Sequence, residues 1–168
     1  MVSIDESGML FGEFDEADVF LAEKSLVYKS LGEGVSTVEF VLRRFENEIL
    51  FIEARQSSPR PENNVDFDTF IDTMYRKFAH SIELYFSMVI QRIEDKADEM
   101  PPCFKSLDYS CAVIKLLMVI NGHEIKWLYP IMHALRRRLK RHIVTWRLEL
   151  AVINDEQARE YGLLVGSD

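Results

Sequence analysis

Four side chains in this sequence have the types and spacing for chemistry. Glu39 and Glu53 stand on two apolar stretches separated by the polar run Arg43–Glu48, and Arg55 follows Glu53 by two residues. Two carboxylates brought together share a proton or bind a hard divalent cation such as Mg²⁺ or Mn²⁺. Arg55 is on the same strand face as Glu53. Arginine stays charged, so it can neutralise the acids or hold a phosphate but cannot act as a base. Lys115 interrupts the apolar run Cys111–Ile120. A lysine in such a strand needs a carboxylate partner or a route to solvent. The expectation is that it points into the same cleft as Glu39 and Glu53; the alternative is an edge position or a stem that reaches water.

The segment Val38–Arg55 must position these groups. It is rich in Val, Ile, Leu and Phe on both sides of a polar centre, the pattern of a β-hairpin. Asn47 is the turn residue that best tolerates positive φ. A loop centred on Glu46 sets Glu39 opposite Glu53, Thr37 opposite Arg55 and Phe40 opposite Ile52. A one-residue slip sends the two glutamates to opposite faces. The Glu46-centred register is expected here. Like charges in direct opposition destabilise a sheet, so this register calls for a cation, a proton or a basic side chain between them. The alternative is a solvated sheet face on which Arg55 balances both acids.

An acid on one strand and Glu53-Ala54-Arg55 at the end of the next, with a helix following, resembles the PD-(D/E)xK nuclease superfamily. The resemblance spans roughly residues 20 to 120. It implies a restriction-endonuclease-like fold with metal ligands at Glu39 and Glu53, a Mg²⁺ or Mn²⁺ cofactor, phosphodiester hydrolysis and a nucleic-acid partner. Arg55 stands where that family has its catalytic lysine, a degenerate E-x-R version of the motif, and Val38 stands where the family has proline. Lys115 would supply an amine from a later strand, and Glu23 a further acid near the first helix. A catalytically inactive descendant, serving as a binding or assembly module, is the alternative.

The remaining elements read as follows. Gly8–Phe14 and Val19–Glu23 suggest an antiparallel hairpin, and Ser25 caps a short helix over Leu26–Leu31. Gln56–Asn64 is a loop leaving the carboxylates, placed to form a wall or lid over them. From about Asp66 to about Glu94, apolar residues recur every three or four positions, the mark of a long core helix. Its excess length suits pairing with a second copy. Asp95–Lys105 reads as a linker in which Pro101 and Pro102 forbid helix. Cys111–Ile120 is a strand buried on both faces, with Cys111 a small buried hydrophobe. A helix then runs from the Asn121–His123 turn to about His142, with Pro130 near its first turn. Arg136–Arg138, Lys140, Arg141 and His142 form a dense basic patch, suited to phosphate or partner contact or simply to solvent. Trp146–Ile153 is a last strand. Asn154–Gln157 has the pattern of a capping box, opening a short helix that ends at Gly162. The tail Leu163–Asp168 is expected to be loose. The sum is an α/β (α+β) domain spanning 1–168, a mixed sheet of about six strands flanked by helices.

Composition bounds the rest. The 168 residues carry 20 basic and 28 acidic side chains, for a net charge of -8, opposite to the usual footprint of a nucleic-acid binder. Two cysteines make no disulfide framework or zinc motif. The first residues lack a signal-peptide pattern and no run is long enough for a membrane span, so a cytoplasmic protein without membrane contact is expected. Phosphate-loop, dinucleotide, GxSxG and HExxH motifs are absent.

Overall fold

The computed structural model describes residues 1–95 and 97–166. In chain order the elements are β1 (Val2–Glu6), β2 (Met9–Phe14), β3 (Val19–Phe20), α1 (Leu26–Ser30), β4 (Phe40–Arg44), β5 (Glu48–Arg55) and α2 (Asn64–Val89). These are followed by α3 (Pro102–Lys105), β6 (Val113–Ile120), α4 (Ile125–Arg138), α5 (Lys140–Trp146), β7 (Leu148–Asn154) and α6 (Asp155–Glu160). The architecture is mixed α/β. A five-stranded sheet has the order β3-β4-β5-β6-β7, and β1 and β2 form a separate two-stranded sheet.

The hairpin β4–β5 is antiparallel with Phe40 opposite Ile52, the register centred on Glu46. The positive-φ residue in its turn is Phe45, not Asn47. Phe45 is well exposed there, so the turn spends no core side chain. Strands β5, β6 and β7 are parallel to one another. Parallel neighbours need long crossovers, and α2 and α4 supply them.

Alternation along β5 divides the core in two. Ile49 and Phe51 face α2 and α4 with Met74, Phe78, Ile82, Leu128 and Ile131. Leu50, Ile52 and Ala54 face the other way, against Ile4, Phe11, Leu163 and Leu164. The second layer is therefore the β1–β2 hairpin and the C-terminal segment. Each such buried aliphatic or aromatic side chain contributes about 1.5–3 kcal/mol.

Several expectations need correction. Met9–Phe14 pairs with Val2–Glu6, and Val19–Phe20 joins the main sheet beside β4. The N-terminal hairpin is thus shifted one strand upstream, because Ser7-Gly8 makes the tight turn with both residues at positive φ. Pro102 does not forbid helix: it opens α3 at a position where its missing N–H costs nothing. Cys111 is exposed, since β6 begins only at Val113. The helix expected to end near His142 is two helices meeting at Leu139, and Pro130 is inside α4, past its first turn. Leu163 and Leu164 are buried, and Leu164 bridges to Phe11, so that part of the tail is fixed. Ser167 and Asp168, like Lys96 in the expected linker, lie outside the described residues. Ser25 caps α1, and the Asn154–Gln157 capping box opens α6.

Helix α2 ends five residues before the expected Glu94. Its far half is buried within the chain: Tyr85 meets Phe51, Phe104 and Tyr109, and Phe86 stacks on Trp146. Its length therefore needs no second copy. Among the described residues, no helix is long and apolar enough to cross a membrane.

Candidate active site

Glu53 is on the α2 side of β5 and its side chain is wholly buried. Glu39 lies one residue before β4, in line with the same register, and is 11% exposed. The group that joins them is Lys77. Its Nζ donates to Glu39 Oε1 at 3.2 Å and to Glu53 Oε2 at 3.1 Å. It is also 3.1 Å from Glu53 Oε1, an oxygen that accepts no hydrogen bond among the described residues.

The local sequence explains this convergence. Phe70, Met74, Lys77, Ser81, Leu84 and Met88 lie along one face of α2 at alternating steps of four and three. Met74, Ser81, Leu84 and Met88 are buried, with Lys77 the one cation in the row. Ser81 Oγ receives the Val38 N–H at 2.8 Å, and His80 Nδ1 receives the Ser36 N–H at 3.1 Å. These bonds hold the segment before β4 along the helix and deliver Glu39 to Lys77.

Arg55 flanks the pair, its Nε 3.7 Å from Glu53 Oε1 and its guanidinium 6.0 Å from the Phe70 ring. Beyond it opens a cavity of about 450 Å³ lined by Ser7, Gln56, Ser57, Ser58, Pro59 and Phe70. The Gln56–Asn64 loop thus makes a wall. Ser58 Oγ is 2.7 Å from His123 Nε2, which ties that wall to the turn after β6.

Burial dominates the electrostatics. It pushes the Glu53 carboxyl up to about 8, with Glu39 adding to the rise and Lys77 and Arg55 opposing it. Glu39 is pushed up to about 7, first by burial and then by Glu23, against the pull of Lys77. Burial works against the Lys77 ammonium, but Glu53 and Glu39 together outweigh it and raise its pKa. Glu39 and Glu53 therefore share one partly desolvated cluster with Lys77 and Arg55, and burial pushes both carboxyls toward neutral pH.

Lys115 does not join this cluster. Pleating sends it to the opposite face of β6, where its Nζ is 2.6 Å from Glu48 and 3.6 Å from Glu149. The amine at the carboxylates comes instead from α2. Lys77 does not stand out in the sequence, because a lysine beside an apolar helical stripe gains meaning only once the facing strand is known to carry acids.

The donor set is all carboxylate oxygen, which suits a hard divalent cation. Glu39 and Glu53 converge on one point, which the Lys77 ammonium holds. An ion at that point would have to displace the Lys77 ammonium. Among the described residues, no group of three His, Cys, Asp or Glu side chains is assembled as a metal cage. The chain matches no family model, no curated protein and no solved structure.

Proposed function

We propose that this chain is a divalent-metal-dependent phosphodiester hydrolase whose active site is the Glu39–Glu53–Lys77 cluster. The observation that supports this best is the Lys77 ammonium within 3.2 Å of both carboxylates. The E-x-R motif lacks the amine that a PD-(D/E)xK-like site requires, and Lys77 brings one from the neighbouring helix.

In this reading Glu39 and Glu53 hold Mg²⁺ or Mn²⁺, which when bound would lower the pKa of water and polarise the phosphoryl oxygen. An ion held there would require the Lys77 ammonium to sit off the shared point. That ammonium then stabilises charge building on the phosphate oxygens. Arg55, about one-third exposed, takes a phosphate oxygen as a charge-assisted donor. Water forms the new P–O bond and gives up a proton to solvent, the ester P–O bond breaks, and the departing oxygen takes a proton from solvent, so the reaction balances as addition of one water.

A second reading keeps the same residues as an ion-paired strut in an inactive nuclease-like fold that serves as a binding or assembly module. The complete burial of Glu53 beneath Lys77 favours it. Cleavage of labelled single- and double-stranded DNA and RNA, with Mg²⁺ or Mn²⁺ and with chelator, separates the two. The hydrolase reading expects metal-dependent cleavage lost in Glu53→Gln and in Lys77→Met. Absence of cleavage, together with a melting temperature indifferent to metal, leaves the strut.

A further inference from the structure

The basic patch belongs to a different part of the molecule. Residues 136–147 hold six arginines and lysines and no acid, in a chain of net charge -8. All six are exposed, and among the described residues only Arg138 is in an ion pair, with Asp72 of α2. Arg136, Arg137, Lys140 and Arg141 therefore carry exposed charge with no ion-pair partner among the described residues, and Arg137 and Arg141 bring it to the surface along α2.

That surface is grooved. A cavity of about 730 Å³ runs between α2 and α4, its polar lining including Thr69, Thr73, Arg76, Arg137 and Arg138. A second, of about 390 Å³, continues between α2 and α5 past Tyr75, Arg141, His142, Thr145 and Trp146. Arg138 lines both, at the point where the two cavities adjoin. The groove they make follows α2 from Asp68 to Glu83, about 22 Å at 1.5 Å per residue. Asp68, Asp72 and Glu83 also line it, but Asp72 is occupied by Arg138 and Arg76.

Aromatic rings alternate with the cations. Trp146 stacks on Phe86 with ring centres 4.6 Å apart and planes 7° from parallel, and it is 41% exposed. Phe86 covers one face of the indole and fixes its tilt, leaving the other face for a ligand. Tyr75 lies between Arg138 and the edge of His142. Trp146 is thus the ring with a face to offer, and cations that follow a backbone beside such a ring are the means by which proteins hold single strands. Paired bases in a duplex have no free face to stack on such a ring.

We propose that the α2–α4–α5 groove binds single-stranded nucleic acid, with Arg137 and Arg141 on phosphates and Trp146 as a stacking platform. This does not rest on the hydrolytic reading. Arg76 lines the groove and Lys77 faces the carboxylates, about 100° apart around α2, so the strand and the acids occupy different flanks of one helix.

The test is a titration of the full chain with a labelled oligo-dT and an oligo-U of about twelve residues, against the matching duplex. Trp146 fluorescence is followed in a Trp127→Phe background. Single strands are expected to quench Trp146 and to bind at least tenfold more tightly than duplex. Arg137→Ala/Arg141→Ala should weaken binding at least tenfold and flatten the dependence of log K on log salt by about 1.4. Both arginines are exposed, so an unchanged melting temperature confirms the fold. The titration is done in chelator without divalent metal, so its outcome is independent of the catalytic proposal. Equal binding of duplex, affinity unaffected by the double variant, or binding of anionic vesicles in place of oligonucleotide would each overturn it.

Discussion

The two faces of the main sheet each carry a lysine between two glutamates, and the two clusters behave differently. On the α2 side, Lys77 joins Glu39 and Glu53 with side-chain exposures of 11%, 11% and 0%. On the other side, Lys115 joins Glu48 and Glu149, at 28%, 14% and 63%. The open cluster has the shorter contact, 2.6 Å, yet its hydrogen bond to Glu48 simply raises the Lys115 pKa. The buried cluster has longer contacts and both of its carboxyls are pushed toward neutral pH. Proximity alone does not make a reactive site. Removal of water from two like charges around one cation does, because charge is then costly enough to exchange for a proton or a metal.

The comparison breaks most visibly if the central cation is removed. Lys77→Met leaves two facing carboxylates in the core with only Arg55 nearby. We expect a loss of about 3 kcal/mol at pH 8, measured by denaturant unfolding, and a much smaller loss at pH 5, where the acids take up protons. An equal loss at both pH values would show that Lys77 acts by packing rather than charge.

The next effect is the pH profile of the wild type. Carboxyls raised from an ordinary 4.5 to about 7 and about 8 bind more protons folded than unfolded. Their stabilising contribution is therefore complete below pH 4.5 and disappears as pH rises through 7 to 8. His123, whose pKa burial and Arg60 lower, works in the opposite sense. The melting temperature of the wild type should fall between pH 5 and pH 8 relative to Glu53→Gln. A parallel pair of curves would mean that Glu53 titrates normally.

The smallest effect belongs to the open cluster. Lys115→Met should cost about 1 kcal/mol or less, with no change in the pH profile between 5 and 8. A larger loss would mean that the exposed face is as strongly coupled as the buried one.

The sequence made the strand face of the site legible because β-structure has a period of two. Once the turn is centred on Glu46, Glu39 and Glu53 must meet. The same rule, applied to β6, would have separated Lys115 from them, but only with knowledge of which β6 residues face α2. That depends on the parallel register between β5 and β6, set by tertiary packing across a long crossover. Lys77 was hidden for a related reason. Its stripe reads as continuous core through Met74 and Phe78, and a lysine on such a stripe gains meaning only when the facing strand is known to carry acids. At the N-terminus, the short Ser7-Gly8 turn allowed a strand to form upstream of the one that was expected.

The central claim is that the point now held by the Lys77 ammonium is a cation site. Titration of Mn²⁺ into wild type, Glu53→Gln and Lys77→Met at pH 7.5, followed by electron paramagnetic resonance, tests it directly. The account predicts one Mn²⁺ per wild-type chain, tighter binding by Lys77→Met because the competing ammonium is gone, and none by Glu53→Gln. Failure of both wild type and Lys77→Met to bind, or binding undiminished in Glu53→Gln, would contradict it.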